Sequence, residues 1–177
     1  MKTAVMGILI ATLSLLGARE YSIDKTQSKV GFEGSKFLAV SVEGVFENYE
    51  GEVSIEDGLI TALKGKIAVD SVQSGNETRD EHIRGESLID SQKFPYITFV
   101  MKEYKKLTDS TGEVVGILEI HGVTKEVRLA STLESTNTES TSILTLEGKV
   151  DIKKDFGMES YAIMSNSVKI DVRLALQ

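Results

Sequence analysis

The chain has 177 residues, enough for one domain with a sizeable core, and its lack of cysteine excludes disulfides, thiol catalysis and thiolate metal ligation. Twenty-seven acidic residues against twenty basic ones leave a net charge of −7, with no run of Lys or Arg to oppose it. Such a surface repels phosphate backbones and anionic lipid headgroups, so nucleic acid is excluded as a partner.

The chain opens MKTAVMGILIATLSLLGARE. Lys2 supplies a positive start, and an apolar run follows from Ala4 to Leu16, interrupted by Thr12 and Ser14. That run is too short to span a bilayer but fits a secretory leader ending at Ala18. The expectation is a signal peptide over 1–18, export, and a mature chain from about Arg19. No later segment reaches membrane-spanning length, so stable membrane insertion is not expected.

Beyond the leader, period-two alternation dominates, the mark of strands with one buried face. A first strand surrounds Val30 and Phe32; Leu38, Val40, Val42 and Phe46 share the next face, and Val53 with Ile55 make a short strand. Leu59, Leu63, Ile67 and Val69 alternate with Lys64 and Lys66 opposite. Ile97, Phe99 and Met101 follow, then Leu118 with Ile120, and Val127 with Leu129 and Leu133. Leu144, Leu146, Val150 and Ile152, then Val168, Ile170, Val172 and Leu174, complete the series. Turn signals stand at ENYEG (47–51), EDG (56–58), DSTGE (109–113) and HG (121–122). Antiparallel strands with one apolar face each must bury those faces against one another, so the fold is all-β, a sandwich or a closed barrel.

One interval departs from alternation. Ser74 and Glu77 have capping-box spacing, which predicts a short helix to Arg84 with Asp80 and Arg84 paired across one turn. Its only large apolar residue is Ile83, so it is expected over one end of the strands. A second turn at SLID (87–90) brings Leu88 and Ile89 towards the core.

Several fragments, in order, resemble the YceI-like family of exported, lipocalin-like proteins associated with polyisoprenoid binding. They are YSIDKTQSKVGF (21–32), VEGVF (42–46), RDEHIRGESLIDSQKFPYITF (79–99), GILEIHGVTKEVRL (116–129) and KKDFGM (153–158). The chain departs from the family's pattern at Lys36, where members often carry His, at Lys153, often Arg, and at Leu88 and Ile89, often aromatic. The resemblance implies an eight-stranded antiparallel lipocalin-like barrel over 19–177, with a helical insertion near 74–90 and a long apolar tunnel. It implies a periplasmic protein that binds, transports or sequesters a long-chain isoprenoid or fatty-acyl amphiphile, without another cofactor and without catalysis. Homodimers are a further expectation. The tunnel residues so implied are Phe32, Leu38, Val40, Phe46, Leu63, Ile67, Leu88, Phe99, Met101, Leu118, Leu146, Met158, Ile163 and Ile170. Without the resemblance, the same stripes read as an ordinary filled core.

The segment RDEHIRGESLID (79–90) concentrates charge and one of the two histidines. As chemistry, Asp80, Glu81 or His82 would act as general acid or base on a lipid. As structure, Arg79, Asp80, Arg84 and Asp90 form a charge-assisted network at the barrel rim, and no nucleophile–base arrangement accompanies them. The structural reading is preferred. Lys36, His82, Asp155 and Tyr161 are assigned to the same mouth or network. His121 reads as a turn residue, and two distant histidines give no zinc spacing, so no metal site is expected. A barrel with a solid core that acts through its surface remains the third reading. The acidic surface predicts a neutral or weakly charged head group on the ligand.

Overall fold

A computed structural model describes residues 19–36, 40–135, 141–159 and 164–177. The leader expected over 1–18 lies outside the described residues, as do Leu38, Tyr161 and Ile163. Eleven strands form one antiparallel sheet: β1 (Arg19–Tyr21), β2 (Ile23–Lys36), β3 (Val40–Phe46), β4 (Tyr49–Glu56), β5 (Leu59–Ala68), β6 (Val72–Gln73), β7 (Tyr96–Lys106), β8 (Thr111–Ile120), β9 (Val123–Ser135), β10 (Ser142–Asp151) and β11 (Ser167–Leu176). Two helices accompany them, α1 (Glu77–Arg84) and α2 (Ile152–Phe156).

These segments make eight staves. β1 and β2 run on from one another, and they pair with β4 and β3 in a nearly constant register, Arg19 opposite Ile55 and Lys36 opposite Val40. β3 and β4 are therefore one stave bent at Glu47–Asn48, and β5 and β6 are another bent at the 3-10 turn Val69–Ser71. Ser71 ties the two bends together: its hydroxyl accepts from Asn48 N at 2.9 Å and donates to Ala68 O at 2.7 Å. The remaining staves, β7 to β11, follow as a meander, and β11 returns to β2. Reciprocal bonds between Ser22 and Gln177 at 3.0 and 2.9 Å lock that seam. The ring is closed, as eight antiparallel strands allow.

Local sequence explains the corners and corrects two expectations. Asp57 with Gly58, and His121 with Gly122, both have positive φ and make tight two-residue hairpins. ENYEG is not a hairpin turn, since Tyr49 is buried within β4. Leu59 is 41 % exposed, and Ile60 takes the inward place beside Leu63. The cause is a bulge: Ser54 pairs with Ala62 but Ile55 with Ile60, leaving Thr61 extra and switching the parity of the strand.

The core divides along the barrel axis into two clusters. One gathers Val53, Ile55, Ile60, Leu63, Val114, Leu129, Leu144, Leu146, Leu174 and Leu176. The other gathers Phe46, Val69, Val72, Ile89, Ile97, Leu118, Val127, Val150, Phe156 and Met158, and lies at the end carrying α1 and α2. Some strands feed both: β8 gives Val114 to the first and Leu118 to the second.

Candidate functional site

The helical end of the barrel is not filled. Its interior encloses a cavity of about 180 Å³ whose walls are almost wholly apolar. The staves supply Phe32, Phe46, Ile67, Ile97, Leu118, Ile120, Val150, Val168, Ile170 and Val172, and Met158 closes in after α2. Gly44 makes room for one wall: it stands opposite Phe32, and any Cβ there would collide with the Phe32 ring. That ring instead packs tilted against Phe46, with centroids 5.6 Å apart.

The insertion between β6 and β7 roofs this chamber with Ile83, Leu88 and Ile89. Asn76, not Ser74, caps α1, accepting from Arg79 N at 3.0 Å. After the helix the chain is pinned in a tight series of bonds, Ile89 N to Ile83 O at 3.2 Å and Asp90 N to Gly85 O at 2.9 Å. His121 secures the roof from the β8–β9 turn: its Nδ1 lies 3.1 Å from Ile89 O, and Phe94 packs 5.1 Å from its ring.

A second hollow of about 540 Å³ adjoins the chamber and shares Phe32, Ile83, Leu88, Ile152 and Val168 with it. Here the lining turns mixed. Lys36, Asn76, Thr78, Arg79, His82, Glu159 and Ser165 join Val42 and Met164. The bridge of Lys36 with Met164 and the bond from Ser165 N to Ser35 O at 2.8 Å hold one margin of this vestibule. An apolar chamber beside a polar-edged vestibule can take an amphiphile, tail inward.

The charged segment beside it is largely committed to structure. The buried Asp80 carboxylate accepts from Ser74 N at 3.0 Å and Ser74 Oγ at 2.5 Å. The Arg79 guanidinium donates to Ser74 Oγ at 2.7 Å and Ser74 O at 2.6 Å. The predicted Asp80–Arg84 pair is not made: burial takes Asp80 to Ser74, and Arg84 pairs with Glu77 at 2.7 Å. Asp90 pairs with Lys93 at 3.4 Å. Arg79, Asp80, Arg84 and Asp90 thus divide between one Ser74-centred knot and two separate ion pairs. Among the described residues, no three or more His, Asp or Glu side chains gather as a metal site. Burial pushes the Tyr49 phenol up, Lys102 lowers the Glu126 carboxyl, and Glu147 raises the Lys169 ammonium.

Of the predicted tunnel residues, Phe32, Phe46, Ile67, Leu88, Leu118, Met158 and Ile170 line the chamber together. Leu63 and Leu146 belong to the opposite, packed cluster, against which Phe99 and Met101 also rest. Val40 is 56 % exposed at the start of β3 and lines nothing, because alternation there continues past the end of the enclosed interior. Lys36, Arg79 and His82 line the vestibule, with Asp80 buried behind them. Arg84 and Asp90 border a polar surface groove instead. Asp155 closes the first turn of α2, accepting from Asp151 N at 2.9 Å. The prediction missed Ile83, Ile89, Ile97, Ile120, Val150, Ile152, Val168 and Val172 as walls, although most share a parity with residues it chose. It also missed Asn76, Thr78, Glu159 and Ser165 at the vestibule, for which nothing in the alternation is a signal.

Comparison with known proteins agrees with this architecture. The profile of the YceI-like domain matches residues 21–176. A UPF0312 protein of Yersinia pestis (strain Pestoides F) is 35% identical over 132 residues, 72% of this chain and 68% of that protein. One from Vibrio vulnificus (strain YJ016) is 30% identical over 130 residues, 71% of this chain and 69% of its own length. Among solved structures, Burkholderia cenocepacia BcnA superposes with a TM-score of 0.79 at 20% identity, covering 87% of this chain and 99% of its own. The Campylobacter jejuni YCEI protein gives 0.67 at 26% identity, covering 89% and 98%. A polyisoprenoid binding domain from Saccharophagus degradans, implicated in plant cell wall breakdown, gives 0.63 at 19% identity, covering 89% and 97%.

Proposed function

The chain belongs to the YceI-like domain family, and from that premise we propose that it binds a long-chain isoprenoid or fatty-acyl amphiphile in the periplasm, as a carrier or sequestering protein. The observation that carries this reading is the apolar chamber at the helical end, sharing walls with a polar-edged vestibule. A cavity of roughly 150 Å³ with apolar walls stays dry and admits a benzene-sized body. The chamber is slightly larger, and the vestibule gives the rest of a tail its path. Binding comes from tail burial, at roughly 0.8 kcal/mol per CH₂ group before ordering costs. The solved polyisoprenoid binding domain shares the fold, which lends the isoprenoid class further support. The Ser74 knot supports a framing role for residues 79–90 over acid–base chemistry, since Asp80 is bonded away from the cavity lining.

The test is native mass spectrometry of protein taken from a periplasmic extract without detergent, followed by solvent extraction. A defined extra mass that releases a long-chain lipid is expected. Protein that arrives empty and also refuses isoprenoid and fatty-acyl ligands in solution overturns the proposal in favour of a barrel acting through its surface.

A further inference from the structure

The vestibule has the opposite electrical character to the molecule around it. The chain carries −7 overall, yet among the described residues the fixed charges lining this hollow are two cations, Lys36 and Arg79, against one carboxylate, Glu159. His82, Asn76 and Thr78 add groups able to donate hydrogen bonds. Resting on the carrier reading above, we infer that the vestibule receives an anionic head group, a carboxylate or a phosphate, at the end of the tail. This reverses what the surface charge of the whole chain predicts. The net surface governs encounters at long range, whereas a bound head group responds to the few charges within a Debye length of it.

Arg79 is the better placed of the two cations for recognition. Its Nε and one terminal nitrogen are fixed on Ser74, at 2.7 and 2.6 Å. Those bonds hold the guanidinium in one orientation, so little side-chain entropy is lost when the remaining nitrogen meets an oxyanion. The Asp80 carboxylate offsets part of this charge across the shared Ser74 hydroxyl, but its oxygens are engaged by the Ser74 amide and hydroxyl behind the lining, so the vestibule is faced by the Arg79 guanidinium and not by Asp80. Glu159 is exposed at the margin and opposes an anion there. It therefore provides a second, oppositely signed handle on the same question.

The test compares three probes with one tail: farnesol, farnesoic acid and farnesyl monophosphate, titrated calorimetrically into the intact protein at low and high salt. The acid or the phosphate is expected to bind about ten-fold more tightly than the alcohol at low salt, as a charge-assisted bond exceeds a neutral one. Salt should narrow that margin. Lys36→Met should narrow it too, and Glu159→Gln should widen it a few-fold. The better of the two anions names the head-group class. Equal affinity for all three probes, or a preference for the alcohol, overturns the anionic head group and leaves the carrier reading standing. No binding of any probe removes both.

Discussion

Leu118 is a wall of the chamber, 6 % exposed, held on β8 between Phe99 and Lys125 of the neighbouring strands. Leu118→Ala deletes three carbons from that wall. Their transfer is worth about 2.4 kcal/mol at roughly 0.8 kcal/mol each. Measured Leu→Ala costs range from about 2 to 5 kcal/mol, depending on the cavity left behind. Leu118 already faces a void on one side, so fewer contacts are lost and the cost should fall near 2 to 3 kcal/mol. The same change enlarges the chamber by the volume removed. Urea unfolding of the empty protein measures the first effect. Calorimetric titration with straight-chain carboxylic acids, lengthened two carbons at a time, measures the second. In the wild type, affinity should rise with length by about four-fold per carbon at most and then level off. In the variant, the plateau should move two to three carbons further out, with the longest acids restoring much of the lost stability. If stability falls while the two length profiles superpose, the tail does not reach the chamber, and the depth of binding argued above is wrong.

Asp80→Ala should cost about 2 to 4 kcal/mol in urea unfolding, since it strips a buried carboxylate from two donors on Ser74, the residue that anchors Arg79. Tyr49 Oη is buried near Ser28 without a well-formed hydrogen bond, so Tyr49→Phe should be neutral or stabilise by up to about 1 kcal/mol in the same assay. Burial, with the Asp24 charge adding to it, raises the Tyr49 pKa above its unfolded value of 10.0. A raised pKa contributes stability that is fully present below the unfolded value and is lost as pH climbs through the folded one. The wild type should therefore lose stability above about pH 10 more steeply than Tyr49→Phe, and equal slopes would refute the assignment to Tyr49.

Much of the barrel was legible because period two reports which side of a strand is apolar. Leu118 with Ile120, Leu144 with Leu146, and the β11 series from Val168 to Leu174 all turn inward as their alternation requires. Parity fails where one residue is added, as at Thr61, because a bulge depends on the partner strand. It also stays silent about what lies across the barrel. Leu63 and Phe32 carry equally good alternation, yet one meets opposing side chains and the other faces a chamber. Whether a face is filled depends on residues meeting from opposite walls, and on glycines such as Gly44 that set how a ring lies. The rim escaped for a different reason. Ser74 and Glu77 have capping spacing, but the helix begins after Asn76, and Ser74 is taken by the carboxylate six residues on.

The seam between β2 and β11 has a consequence for how the molecule comes into being. The other stave-to-stave ladders join staves that are consecutive along the chain, whereas Ser22 and Gln177 meet across 155 positions. Contacts of such separation form late, since the entropy of closing the intervening loop is lost before any bond rewards it. Until that zipper runs, the molecule is a curled ribbon with two raw margins, β2 on one side and β11 on the other, each able to template a neighbour's strand. The interval before closure is thus the hazardous part of its folding, and the rate of joining those two margins sets how long it lasts.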